Sequence, residues 1–115
     1  MAAAAAAHWP GEWARGAALE LSGSAARGAA ALEARVVRSQ WIAMSQEAGS
    51  NPPQETGLMT NSWFGKFHGE MRWIHQAHHL LWGRGDLALR SERYYDAVRE
   101  QARRHTRVAQ NYSGV

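Results

Sequence analysis

Apolar residues recur at helical spacing in three stretches of the chain. From about Ala29 to Ala48, Leu32, Val36, Ala43 and either Ser39 or Gln40 keep the spacing of one helix face. Val37, Trp41 and Met44 form a second stripe beside it, which predicts a wide buried face. This helix should stop at Ala48-Gly49, ahead of Asn51-Pro52-Pro53. A second helix is predicted from about Lys66 to Trp82, with Phe67, Met71, Ile74, His78 and Leu81 on its buried side, ending at Gly83-Arg84-Gly85. Asp86 is suited to cap a third that reaches about Val108, burying Leu87, Tyr94, Val98 and Ala102.

Residues 1–24 lack that period. Ala2 to Ala7 read as a frayed low-complexity end, and Pro10, Gly11, Gly16 and Gly23 break up the remainder of this stretch. Ala17 to Leu21 predict a short strand ended by Ser22-Gly23-Ser24. Residues 25–115 form the helical domain. The predicted fold class is therefore all-α: three long helices, a loop over residues 49–64, and a short strand near the N-terminus. A loop of that length between helices is uncommon and usually functional. Helices with such wide apolar faces need partners, so association of the chain with itself is expected.

Composition narrows the function classes. The 115 residues hold six tryptophans, which supply either a heavy core or flat surface for stacking on ligands. The net charge is +3, and Lys66 is the only lysine among 13 basic residues. Seven arginines fall between Arg84 and Arg107, interleaved with Asp86, Glu92, Asp96 and Glu100. That is a solvated helix face rather than a basic groove, so nucleic acid is not the expected partner. There is no cysteine, hence no disulfide framework and no thiolate chemistry. No apolar run reaches the roughly 20 residues of a membrane span. The alanine run has no basic segment before it and does not read as a signal peptide, so a cytoplasmic location is the default expectation.

The chemistry-bearing residues concentrate in Trp63 to His79, with two tryptophans, two phenylalanines and four histidines. Three readings compete. In the first, Trp63 and Phe64 cover the C–H face of a sugar, while Gln54, Glu55, Lys66, His68 and Glu70 hydrogen-bond its hydroxyls. Asn61 adds a further amide from the loop. In the second, His75 and His79 share one helix face and bind a metal with His68 or Glu70. The spacing lacks a convincing fourth ligand, so no metal and no cofactor are expected. In the third, the aromatics are core, His78 and His79 are satisfied half-buried histidines, and Lys66 and Glu70 form a four-spaced surface pair.

A resemblance adds to this reading. The runs Pro52-Pro53-Gln54-Glu55-Thr56-Gly57-Leu58 and Asn61-Ser62-Trp63-Phe64-Gly65-Lys66-Phe67-His68-Gly69-Glu70-Met71 resemble a bacterial and fungal family with the six-hairpin, (α/α)6 glycosidase fold. Trp73, His75, Leu81-Trp82-Gly83-Arg84, Ser91, Tyr94-Tyr95 and Gln110-Asn111-Tyr112-Ser113-Gly114 continue the pattern, as do Gly16 to Ser24 and Leu32 to Gln40 upstream. The likeness implies a toroid of six helical hairpins, of which this chain is a fragment, and a carbohydrate as substrate. It is more distantly similar to the inverting α-L-fucosidases. There two asparagines position the attacking water, where this chain carries Lys66 and His68, a departure that counts against fucosidase chemistry. The candidates for acid–base work are Glu70, His68 and Glu55. Glycoside hydrolysis needs two carboxyl groups across the scissile bond, and Glu55 and Glu70 are expected on one rim instead. The alternative function is a non-catalytic helical module that binds a carbohydrate or a protein.

Overall fold

The computed structural model describes residues 1–57 and 60–113. Leu58 and Gly114, two positions of the resemblance runs, lie outside the described residues. The fold is all-α. Helices run over Ala2–Arg15 (α1), Ala29–Glu47 (α2), Met71–Leu81 (α3), Gly85–Leu89 (α4) and Glu92–Gln110 (α5), and a single 3-10 turn covers Trp63–Gly65.

The N-terminus departs from expectation. Alanine has the highest intrinsic helix propensity, and six in a row outweigh the breaks at Pro10 and Gly11. The result is α1, with Pro10 inside it. Its second half is held in place: the Trp9 ring lies 6.1 Å from the Trp41 ring of α2, Glu12 is buried, and Arg15 bonds Asp86 at 2.7 Å as well as Glu12 within the helix at 2.5 Å. No strand occurs among the described residues, so the short strand expected at Ala17 to Leu21 is corrected. That segment is fixed by isolated bonds, from the Ala17 amide to the Trp82 carbonyl (2.8 Å) and from the Leu21 amide to Glu33 (2.6 Å). It has no neighbouring strand to complete a ladder.

The first predicted helix is close to observed α2. The second begins later, at Met71 rather than Lys66. Its end matches: Gly83 adopts a φ of 72°, while the Gly83 amide bonds the Leu80 carbonyl and the Arg84 amide bonds the His79 carbonyl at 2.7 Å. These are the paired bonds of a glycine-terminated helix, and they turn Arg84 inward. The predicted third helix is divided. Arg90 and Ser91 keep right-handed backbone angles between α4 and α5, and Ser91 is fully buried there.

The face of α3 is the largest surprise. Its buried residues are His75, Gln76 and His79. Trp73, Ile74, Leu80 and Leu81 face outward, Leu81 at 83% exposure. The helix is thus polar inside and apolar outside. Of its polar groups, His75 Nε2 donates to the Glu55 carbonyl at 2.9 Å and half-buried His78 Nε2 to the Glu47 carboxylate at 3.0 Å, while buried Gln76 Oε1 and His79 Nε2 have no hydrogen-bond partner. The expected burial of Ile74 and Leu81 is therefore corrected, as is that of Leu32 and Trp41 on α2, both exposed.

Only Leu87 and Ala88 are fully buried hydrophobics among the described residues. The radius of gyration is 18.3 Å, against about 13 Å for a compact chain of this length. The accessible surface is 8590 Å², against about 6300 Å² for a folded monomer of this mass. The excess approaches the area of an obligate interface. The chain is accordingly expected to associate as concentration rises in sedimentation velocity runs, and Leu81→Glu to shift it toward monomer. A single monomer boundary for the unsubstituted chain at all concentrations contradicts this.

Candidate functional site

The loop between α2 and α3 tightens at Trp63, Phe64 and Gly65, which take φ values of 48°, 60° and 70°. Three consecutive left-handed residues are unusual, and for tryptophan and phenylalanine the conformation costs roughly 1–2 kcal/mol each. Such strain persists only where surrounding bonds enforce it. Here the Gly65 amide bonds the Ser62 carbonyl (3.0 Å) and the Lys66 amide the Trp63 carbonyl (3.3 Å). The Gln54 side-chain amide bonds the Thr60 carbonyl at 2.9 Å. A side chain on Gly65 would stand tight against the Asn61 side chain, at 3.3 Å. The product of this strain is two exposed rings, Trp63 at 62% and Phe64 at 91%.

Beside Trp63 lies an open depression lined by Glu55, Trp63, Phe67, His68, Glu70 and His105. His68 Nδ1 meets the Glu55 carboxylate at 2.9 Å. The carboxylate only accepts, so Nδ1 carries the hydrogen. The Trp63 ring stands edge-on to His68 with centroids 5.9 Å apart. Glu55 is held twice, by His68 at its side chain and by His75 at its backbone carbonyl. Glu70 has no hydrogen bond or ion pair among the described residues, so its carboxylate is available to a ligand.

Of the residues singled out from sequence, Glu55, Trp63, His68 and Glu70 come together. Gln54 braces the loop from behind, Phe64 projects to solvent, and Lys66 is exposed outside the lining. Lys66, His68 and Glu70 precede α3 rather than forming its first turn, so a helical Lys66–Glu70 pair does not form. His75 and His79 are both buried on α3, with His75 engaged by Glu55. No cluster of three or more histidine or acidic residues placed to hold a metal occurs among the described residues.

Phe67 and His105 complete the depression and were not singled out for it. Phe67 packs edge-on against Tyr94 at 5.0 Å, which anchors the start of α5. His105 then reaches the depression from the same stripe of α5 as Tyr94 and Val98, both lining a shallow groove with it. That stripe, at spacings of four and seven, was the available signal. Arg72 reinforces the anchor, lying over the Tyr95 ring at 4.9 Å and pairing with Glu92.

Among the described residues, no helix is long and apolar enough to cross a membrane. No family model, no curated protein and no solved structure matches this chain.

Proposed function

We propose that this chain contributes part of a carbohydrate-binding cleft. The observation that carries the reading is the strained Trp63-Phe64-Gly65 turn, which holds a flat ring at the edge of a depression furnished with Glu55, His68 and Glu70. A sugar offers an apolar C–H face and a rim of hydroxyls, and it needs that pairing of ring and polar groups. Backbone strain kept at a solvent-facing aromatic is better explained by a ligand than by packing, since Trp63 and Phe64 bury little of themselves.

The finer reading is that the helices belong to an (α/α)6 toroid of the glycoside hydrolase kind. The outward apolar face of α3 and the expanded shape support it, because further helices would cover that face. In this reading the Glu55 carboxylate is engaged by His68, which leaves Glu70 as the one free carboxylate of the depression among the described residues. Hydrolysis then belongs to the larger protein, and this chain supplies binding. A second reading, a non-catalytic module docking through its aromatics, is favoured by the exposure of Trp73 on α3.

The test is titration of the chain with neutral oligosaccharides, before and after Trp63→Ala. Loss of the ring is expected to weaken binding about tenfold, or about 1.4 kcal/mol, with helical content unchanged. Equal binding by the variant counts against the site.

A further inference from the structure

The depression is unusual in the balance of its polar groups. Its lining includes two carboxylates, Glu55 and Glu70, and two imidazoles, His68 and His105, but no arginine or lysine. The one lysine nearby in sequence, Lys66, lies outside it. Because Glu55 takes the Nδ1 hydrogen of His68, the neutral ring presents its other nitrogen, Nε2, as a lone pair. His75 keeps Glu55 in place through the backbone, so this tautomer is built into the fold.

We infer that the depression is a hydrogen-bond-accepting site that selects a neutral sugar over the corresponding uronate, with His68 Nε2 and Glu70 taking hydroxyl hydrogens and Glu55 acting as a positioning residue for His68. A sugar hydroxyl donates as readily as it accepts, so acceptors beside the Trp63 ring suit a neutral pyranose. A uronate brings a third negative charge beside Glu55 and Glu70, with no cation in the lining to meet it.

The inference rests on the carbohydrate reading of the site, and two measurements separate their fates. The first is the tautomer of His68 in the unliganded chain, read from long-range proton–nitrogen NMR correlations. In the neutral ring, Nδ1 protonated and Nε2 bare is expected, with Glu55→Gln mixing the two forms. The reverse tautomer in the unsubstituted chain overturns the inference whatever the ligand. The second is titration with matched pairs of methyl glycosides and methyl uronides in the gluco, galacto and manno series. The neutral member of at least one pair is expected to bind about tenfold tighter than its uronide, and Glu70→Gln to narrow that gap severalfold. Equal or tighter binding of the uronide overturns the selectivity alone. Binding of no member of any pair overturns the carbohydrate reading, and the inferred ligand class with it.

Discussion

Arg84→Ala is expected to detach α1 and the segment after it from the rest of the molecule, at a cost of about 3–4 kcal/mol. Arg84 is 1% exposed. Its guanidinium donates to Gln40 Oε1 on α2 at 2.9 Å, to the Ala17 carbonyl at 3.4 Å and to the Glu12 carbonyl at 3.5 Å. It also lies over the Trp13 ring at 5.4 Å. Three chain segments thus converge on one side chain, and truncation strands Gln40 and two carbonyls in a dry place. Burial draws the guanidinium below its usual range, with buried Glu12 opposing the shift, which marks how far the charge has left water. With a core this thin, such a loss is a large share of the total stability. Gly16→Ala should act in the same direction by about 1–3 kcal/mol, because a Cβ there would stand 2.4 Å from the Arg84 guanidinium carbon. Limited proteolysis after Arg15 and Arg27, with urea unfolding, measures both. An Arg84→Ala chain as resistant as the unsubstituted one contradicts this account of the core.

The second large effect is loss of stability in acid, through His79. The ring is 2% exposed, its centroid lies 4.0 Å from that of the tilted His78 ring, and its Nε2 has no hydrogen-bond partner. Burial pulls its pKa down to about 4; His78, Arg84 and Arg90 push the same way, and Glu47 opposes them. In the unfolded chain the ring titrates near 6.5. Between those values the unfolded chain binds a proton that the folded chain refuses, so stability is full above about pH 6.5 and falls as pH drops toward 4. Each pH unit within the window costs up to about 1.4 kcal/mol, so the whole fall is on the order of 3 kcal/mol. Urea midpoints at pH 7.5 and pH 4.5 read it directly. His79→Leu replaces the ring with an apolar group of similar size and should remove most of the difference. A slope unchanged in that variant assigns the acid sensitivity elsewhere.

How far the sequence foretold this structure differs from element to element. The limits of α2 were readable because its stop is local, a glycine followed by two prolines. The close of α3 was readable for the same reason, since Gly83 is the residue a left-handed helix end favours. The start of α3 was not, because Lys66 to Glu70 fit a helical period while Lys66, after the strained turn at Trp63, is extended, and helical angles resume only at Glu70. The inversion of α3 was invisible to periodicity. Ile74, His78 and Leu81 share one helix face and His75 and His79 another, and the Glu55 carbonyl meets the His75 side of the helix. The alanine run misled in the opposite sense: its simplicity suggested fraying, while propensity and the Trp9–Trp41 contact support a helix. Glu55, Trp63, His68 and Glu70 line one depression because they lie close in sequence around one turn. His105 is 35 residues beyond Glu70 in the numbering and joins them only through the packing of Tyr94 on Phe67.

The central claim is that a sugar seats on Trp63 within the Glu55–His68–Glu70 depression, and saturation-transfer NMR between tryptophan ring protons and sugar C–H protons tests it most directly. With the six indoles assigned, saturating the Trp63 ring is expected to pass magnetisation to one face of a neutral oligosaccharide, with transfer abolished by Trp63→Ala. Transfer from another tryptophan, such as Trp73, with none from Trp63, or no transfer at all, contradicts the account.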